Sequence, residues 1–487
     1  MSRKPTPGIR VPNPPAKPPF ARFTSRDIYL VAIGLFLGLS VIKFGNPVIL
    51  DAVVPAPKTL AGAWAWAWPP HWSLMLVWLV ALPGGWFIFR NGVRWRGHFA
   101  LWLLPLVWLG WQFVAATRTE DGHLTTLVIG EFAGCLVFYF LGAMVVDQGR
   151  GLRFVLAGLL AAFAFCLVRA VVQYSIEFPR EQTELIEGQR TAWTNYSPEA
   201  VNEMKDSGVI ISTNGADIVN PVILKKYIKR RVHGTLVYPN ALAGIVLLLW
   251  PVTLALVAGS RSVLRPHVRI PTMVLTVFLG AGALFASGSK SGWLIALGMG
   301  VVWLFTFDWP RHLKFLALAL MLIGGLAVFA VRFHDYFAAG ATSVSARLDY
   351  WRAAVRISID HPLFGTGPGT FQRPYEKIKN PEAEMARLTH NDYLEQFSDS
   401  GMVGGIAYSA WIALMLATIG RKAWPRSKIA SLEATGENER AEWRFDFMVF
   451  LGLLGWFCQG LSEFELYVPA LAWSAFLLAG TLVGKET

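Results

Sequence analysis

Long apolar runs divide the chain, and they restrict its fold more than any other feature. About twelve of them are long enough to cross roughly 30 Å of hydrocarbon as helices. We place them near 28–45, 72–89, 99–116, 124–146, 153–173, 239–258, 271–286, 291–307, 312–331, 392–419, 445–461 and 465–483. A helix satisfies every backbone polar group within its own segment, as a bilayer requires. The sequence therefore predicts an all-α polytopic membrane protein.

Composition agrees with this class and excludes others. Only 16% of the residues are charged, against about a quarter in soluble domains. The 21 tryptophans are typical of a chain with indoles at the membrane interface. The formal net charge of +12 does not indicate nucleic acid, because most Lys and Arg residues lie in short loops between apolar runs. The three cysteines are isolated inside apolar runs, which argues against structural disulfides and thiolate metal sites.

Basic residues in alternate loops predict the orientation. The Pro-rich segment 1–27 is expected to be a disordered cytoplasmic tail before an uncleaved first span. Positive residues favour the cytoplasmic side. The positive residues in the alternate loops, which we assign to the cytoplasmic side, are Arg90, Arg94, Arg96, Arg150, Arg153, Arg261, Arg265, Arg269, Arg311, Lys314, Arg421, Lys422, Arg426 and Lys428. Both termini are then cytoplasmic.

Two long loops fall on the opposite side of the membrane in this orientation. The first occupies residues 174–238, after five spans in 28–173. The second occupies residues 332–391, after four spans in 239–331, and three spans follow in 392–487. Loops of this length between spans suggest a function, because long ordered connections are uncommon without one.

The second loop begins with an amphipathic pattern. Apolar residues recur every three or four positions from Val344 to Ile359 and predict a helix. Pro362 should end it, since proline disfavours a helical conformation in the residue before it. Three glycines at alternate positions from Gly365 then predict a tight turn. Their spacing does not fit a dinucleotide-binding fingerprint, which also needs a preceding strand.

His390 is the candidate general base. It stands beside Asn391 and Asp392 where the loop meets the next span. An imidazole next to a carboxylate can deprotonate a hydroxyl near neutral pH. The alternatives are an interfacial histidine and, for Asn391 and Asp392, helix capping. Glu463 and Glu465 flank a short turn on the same side, and the sequence does not place them relative to His390.

Cationic side chains on that side form a second candidate feature. A basic run from Lys225 to Arg231 approaches the membrane in the first loop. It suits a phosphate group as well as it suits lipid headgroups, and charge alone does not separate the two. Lys290 lies in a turn of Ser and Gly residues between two short spans. We favour an anion contact there over a lysine that reaches outward to the interface.

Several short motifs in order along residues 230–420 resemble the O-antigen ligase and O-antigen polymerase superfamily, which includes protein O-oligosaccharyltransferases. Each motif is weak alone, and their order and placement against the spans carry the resemblance. The motifs are Arg231-x2-Gly234-Thr235-x3-Pro239-Asn240-x2-Ala243, Ser289-Lys290-Ser291-Gly292, Arg347-x2-Tyr350-Trp351-x2-Ala354, His361-Pro362-x2-Gly365-x-Gly367-x-Gly369-x-Phe371 and His390-Asn391-x-Tyr393-Leu394-x6-Gly401-x2-Gly404.

The resemblance implies a polytopic fold similar to that of GT-C-type lipid-linked sugar transferases, in a bacterial inner membrane with a periplasmic active site. It implies a metal-independent glycosyltransferase, without cofactor, that moves a glycan from undecaprenyl diphosphate to an acceptor hydroxyl. His390 would be the base and Arg231 a diphosphate contact. Lys290 stands where the family has a second arginine. This is a departure, because a lysine ammonium lacks the planar guanidinium that can bind a phosphate through two N–H groups at once. The further substrate contacts that we expect are Arg230, Arg347, Asn391, Tyr393 and Asn240.

Other functions stay open at this stage. Within the family, the acceptor is lipid A–core in a ligase, a glycan in a polymerase that makes lipopolysaccharide or exopolysaccharide, or a protein. Outside it, the chain could be a transporter or flippase for a lipid-linked or anionic substrate, or a non-catalytic scaffold. A transporter should show repeated halves and charged or broken helices near the midplane. The sequence shows no convincing internal repeat.

Overall fold

The structure, a computed structural model, describes residues 23–92, 98–147, 149–213, 215–338, 342–424 and 437–485. Residues 1–22 of the predicted tail, together with Arg94, Arg96, Arg426 and Lys428, lie outside this described part. The helices confirm the predicted all-α membrane fold. Eight of those described are long and apolar enough to cross a membrane, and three shorter apolar helices accompany them.

The helices follow the predicted spans closely. In chain order they are α1 (Ser25–Lys43), α2 (Leu60–Ala65), α3 (Pro70–Leu76), α4 (Trp78–Asn91), α5 (Ala100–Ala116), α6 (Gly122–Met144), α7 (Arg150–Val172), α8 (Phe178–Arg190), α9 (Pro198–Asp206), α10 (Pro221–Lys229), α11 (Pro239–Gly259), α12 (Pro266–Ser287), α13 (Lys290–Leu304), α14 (Arg311–Ala338), α15 (Thr342–Asp360), α16 (Gln372–Ile378), α17 (Asp392–Ala423), α18 (Glu437–Gln459) and α19 (Pro469–Val483). Each predicted span coincides with one of these helices, or with the pair α3 and α4.

Small residues allow the central helices to pack closely. A Cβ added to Gly158 of α7 would overlap the backbone of Gly34 on α1. One added to Gly142 of α6 would overlap the Leu477 carbonyl on α19. Close backbone approach of this kind is how helices associate where lipid removes the hydrophobic driving force. The α1–α7 and α6–α19 pairs are therefore closely packed.

Helix α17 is broken where the sequence predicted one span. Gly401 has a φ of +67° and a non-helical ψ, which separates an arm at 392–400 from an arm at 402–423. Rings of Tyr393 and Tyr408 lie 5.5 Å apart across the break, although fifteen residues of straight helix would separate them by about 22 Å. The two arms form a V. The amide of Met402 donates to the Pro362 carbonyl at 2.8 Å and fixes the tip against the loop.

The first long loop folds into a small α/β unit. A π-helical turn, Gln173–Glu177, continues α7 into α8. Strands β1 (Ile210–Thr213) and β2 (Ala216–Val219) form an antiparallel hairpin with Ile210 opposite Val219. Trp193 packs with these two residues in a separate small core. The predicted helix after Ser197 is confirmed as α9, with the Ser197 side chain capping it.

Candidate functional site

One buried carboxylate joins residues from distant parts of the chain. Glu463 lies in the turn between α18 and α19, and its side chain is 3% exposed. Its Oε1 accepts a hydrogen bond from Asn240 Nδ2 at 2.7 Å and an ion pair from the Arg347 guanidinium. Its Oε2 lies 3.4 Å from Nδ1 of His390. The start of α11, the middle of α15 and the turn before α17 therefore meet at Glu463.

The backbone at His390 is held in an unusual conformation. Its φ is +53°, in the left-handed region that few non-glycine residues adopt. The Thr389 hydroxyl bonds both the amide and the carbonyl of Asn391, and the buried Glu395 carboxylate accepts the Thr389 amide. Asn391 Oδ1 then caps α17 by accepting two amides of its first turn. Neighbours that over-determine a turn can maintain such a conformation.

These contacts orient the imidazole. The His390 ring lies between Tyr350, with centroids 6.0 Å apart, and Phe464, with centroids 4.8 Å apart. Its side chain is 31% exposed. An ionised carboxylate only accepts hydrogen bonds, so Nδ1 donates to Glu463. In the neutral imidazole, Nε2 is then the acceptor and can take a proton from a substrate.

Glu463 stays ionised at neutral pH. Burial raises its pKa, but the hydrogen bond from His390 and the Arg347 charge outweigh burial, so the pKa lies below its ordinary value. A carboxyl with a lowered pKa contributes stability above its ordinary pKa, and this contribution is lost as the pH falls through the lowered value. The network that Glu463 forms with His390, Arg347 and Asn240 is therefore complete in the neutral pH range.

Arg231 reaches the same network through Asn240. Its Nη2 donates to Asn240 Oδ1 at 3.0 Å, and its Nε donates to the Ser287 carbonyl at 3.0 Å. Asn240 uses its other amide atom on Glu463, so it connects the guanidinium to the carboxylate. Of the two predicted cationic side chains, Arg231 therefore contacts Asn240 and Arg347 contacts Glu463.

A buried amide holds the loop that carries Arg231. Gln173, 2% exposed, is the first residue of the π-helical turn. Its Oε1 accepts the amides of His233 at 3.1 Å and Gly234 at 2.8 Å, and its Nε2 donates to the Gly234 carbonyl at 2.9 Å. Such turns often occur at functional sites. Gln173 is a site residue that the sequence alone does not single out.

We expect Gln173→Leu to weaken substrate binding through Arg231. The change removes the partner of the buried Gly234 amide and carbonyl, at a cost of about 1–3 kcal/mol for each unsatisfied group. If half of the cost for one such group is expressed as displacement of Arg231, the KM for the substrate rises about two- to tenfold. Gln112→Leu is the matched control, because Gln112 is a buried glutamine bonded to Gln396 and Ser400. Equal KM changes in both variants would contradict the role of Gln173.

Lys290 lies beside the network without joining it. It begins α13, and its ammonium lies 3.8 Å from the Tyr336 ring centroid and 5.3 Å from that of Phe333. The Tyr336 hydroxyl is hydrogen-bonded to Ser343 at 2.7 Å. Lys290 thus connects α13 to the end of α14 and the start of α15, the helix that carries Arg347. A contact of Lys290 with substrate stays a prediction.

Three further residues that the sequence predicts as substrate contacts form contacts within the protein. Arg230 ends α10 in the left-handed conformation, and its guanidinium lies 5.8 Å from the Tyr174 ring centroid. The Tyr393 hydroxyl donates to the Phe457 carbonyl at 3.1 Å. The Asn391 amide donates to the Leu461 carbonyl at 2.9 Å. These side chains hold the site together, and the structure does not bring them to Glu463.

A cavity of about 400 Å³ opens on the network. His390, Arg231, Asn240 and Glu463 line its polar side. The other lining residues are Pro47, Ile49, Leu50, Tyr238, Pro239, Ala241, Tyr350, Glu384, Met385, Ala386, Arg387, Leu388, Phe464, Glu465 and Val468. A lining of polar and charged residues together with apolar ones suits an amphipathic ligand. In the described part of the chain, no group of three or more His, Cys, Asp or Glu side chains is arranged to hold a metal ion.

A second cavity, of about 430 Å³, lies beside the glycine turn. Its lining includes Arg118, Glu120 and residues 361–366. Gly367 packs on Thr119, and Gly369 packs near Val128 and Ile49. Ile49 lines the first cavity, so the glycine turn contacts the lining of both cavities. None of the predicted catalytic residues lines the second cavity, and we assign the site to the first.

Comparison with known families supports the resemblance given by the motifs. Residues 275–409 match the model of the family described as O-Antigen ligase. The matched region contains Lys290, Arg347 and His390, whereas Arg231 and Glu463 lie outside it. No curated protein matches the chain. The match confirms the predicted family resemblance and supports a glycosyltransferase of the ligase or polymerase type, with a lipid-linked glycan donor and an acceptor as substrates in general.

Proposed function

We propose that this protein transfers a glycan from undecaprenyl diphosphate to an acceptor hydroxyl, as an O-antigen ligase or polysaccharide polymerase. The observation that carries the proposal is the contact of His390, Arg347 and Asn240 with one buried carboxylate, with Arg231 bonded to Asn240. The site lies at the periplasmic face of a bacterial inner membrane in this proposal. Both termini are then cytoplasmic.

His390 acts as the general base. Its Nε2 accepts the proton of the acceptor hydroxyl as the oxygen attacks the anomeric carbon of the donor sugar. The bond from that carbon to the diphosphate oxygen breaks, and the electron pair leaves with the diphosphate. A single displacement inverts the anomeric configuration. Glu463 keeps Nδ1 as the protonated nitrogen and stabilises the imidazolium that forms.

The arginines stabilise the leaving group. Negative charge develops on the diphosphate as the bond breaks, and preorganised cations lower the energy of this transition state. Arg231 donates through Nε and Nη2 to protein acceptors. A guanidinium has five N–H donors, so it can keep both contacts and still bind a phosphate oxygen. This arrangement requires no metal ion.

The cavity suits the two halves of such a donor. The polar lining residues accept the diphosphate and the first sugar. The apolar side chains of Pro47, Ile49, Leu50 and Val468 suit the first units of the prenyl chain, because they offer no groups that need hydrogen bonds. Lipid A–core, a growing glycan and a protein hydroxyl remain the candidate acceptors.

The test is release of the carrier. Purified protein in nanodiscs is given undecaprenyl-diphosphate-linked glycan with each candidate acceptor, and with EDTA present. We expect undecaprenyl diphosphate to appear in step with the glycosylated acceptor, and only with the correct acceptor. A parallel assay in sealed proteoliposomes tests the alternative, because a transporter or flippase would move the intact donor across the bilayer without releasing its carrier. That result would contradict the proposal.

A further inference from the structure

A tryptophan-rich segment beside the cavity presents its apolar side chains outward. Residues 54–68 connect the 3₁₀ turn Val48–Val53 to α3. The short helix α2 within the segment buries none of its residues. Leu60 is 92% exposed and Trp64 is 85% exposed, the two highest values for large apolar side chains among the described residues. Trp66 is 70% exposed.

The segment is anchored to the end of α1. The buried Lys43 ammonium donates to the carbonyls of Trp64 and Trp66, the latter at 3.2 Å. The Trp68 amide donates back to the Lys43 carbonyl at 2.9 Å. The Trp68 ring packs edge-on against Phe44 with centroids 5.7 Å apart. These contacts fix the backbone, so the outward rings belong to an ordered element.

The exposed rings continue the apolar surface of the neighbouring helices. Trp68 contacts Trp72 of α3 with ring centroids 5.7 Å apart. The helical stretch that begins at Pro70 is apolar enough to cross a membrane. Its Met75 and Leu79 are 65% and 70% exposed. A surface of this length exposed to water would be costly, whereas a bilayer accommodates it.

The chemistry of the segment fits the headgroup region in particular. Indole rings concentrate at membrane interfaces, where one end of the ring is apolar and the other can donate a hydrogen bond. The segment carries the exposed cation Lys58 and no acidic residue. A lysine at that depth is attracted to lipid phosphates. A protein partner would need complementary features, and this surface offers only apolar groups and one positive charge.

We propose that residues 54–68 are an interfacial anchor that inserts into the lipid headgroup region. Leu60, Trp64 and Trp66 lie at the acyl boundary, and Lys58 lies among the phosphates. The inference does not depend on the proposed function. The anchor also places Ile49 and Leu50, which line the first cavity, just below the headgroups.

Spin-label accessibility in nanodiscs of anionic and zwitterionic phospholipid tests the anchor. The background replaces Cys135, Cys166 and Cys458 by alanine. Labels are then attached in Leu60→Cys and, separately, in Ala65→Cys, so that both exposed tryptophans remain. We expect high accessibility to oxygen and low accessibility to a water-soluble nickel chelate, at a depth within the first few ångströms below the phosphates.

Two controls calibrate the depth. Leu79→Cys, on the exposed face of α4, gives the value for lipid, and Asp206→Cys, at the end of α9, gives the value for water. Values at positions 60 and 65 that match the Asp206→Cys control would overturn the proposal. Protection from both reagents would also overturn it, because that pattern means coverage by protein, whether a second copy or another chain.

Discussion

His390→Ala is expected to reduce glycan transfer by about 10²–10⁴-fold, the range that a positioned general base contributes. The acceptor hydroxyl would then have to lose its proton to water, without an oriented acceptor. Donor binding should change little, because the contacts between Arg231, Asn240 and Glu463 do not pass through the imidazole. The measurement is the rate of carrier release at saturating donor, with donor affinity measured separately.

The matched control is His361→Ala. His361 belongs to the same long loop, is exposed, and lines the second cavity rather than the first. We expect nearly unchanged transfer in this variant. An active His390→Ala protein, or equal losses in the two variants, would exclude His390 as the base and would require another proton acceptor at the first cavity.

Glu463→Gln is expected to have a comparable effect through a different cause. The substitution removes the charge that pairs with Arg347 and the acceptor that fixes the protonated nitrogen of His390. Removing one partner of a buried ion pair costs about 3–5 kcal/mol of stability, and the partial exposure of Arg347 reduces this cost. We expect kcat to fall about 10²–10³-fold, as general-base catalysis is lost, with a lower melting temperature. The measurements are kcat and thermal unfolding in detergent.

Glu465→Gln tests whether the Glu463 charge or the turn that carries it supports activity. Glu465 lies in the same turn and is equally buried, and its carboxylate oxygens have no hydrogen-bond partner among the described residues. Burial raises its pKa well above the ordinary value, so a neutral amide is a mild replacement. We expect close to normal transfer. A loss equal to that of Glu463→Gln would mean that the turn itself, rather than the Glu463 charge, supports activity.

Most of the architecture could be predicted from the lengths of the apolar runs. Each run of sufficient length became a helix because a bilayer leaves the backbone no other way to pair its polar groups. The break in α17 was not predicted, since 392–419 has the composition of a single span. Its cause is tertiary: the loop at Pro362 packs against the backbone of Gly401, and only glycine fits there with a positive φ.

The candidate site was predicted only in part. His390, Arg231, Arg347 and Asn240 were identified from chemistry and family resemblance, and they lie together. Glu463 was noticed, but its role depends on contacts 73 and 116 residues away in the chain. The available signal was the cost of an acidic residue in a short turn between spans, which normally requires a partner. The contact of the Lys290 ammonium with the Tyr336 ring joins residues 46 positions apart, so the sequence alone does not show it, and a role of Lys290 on substrate stays a prediction.

The position of Glu463 in the chain has a consequence for biosynthesis. Membrane helices are made in order, from the N-terminus. Arg347 and His390 therefore emerge 116 and 73 residues before the carboxylate that pairs with them. Until α18 and α19 are inserted, the nascent protein holds a buried cation without its counter-ion and a histidine without its orienting partner. Completion of the last helical hairpin thus completes both the charge balance and the active site, so a prematurely terminated product is unstable and inactive for the same reason.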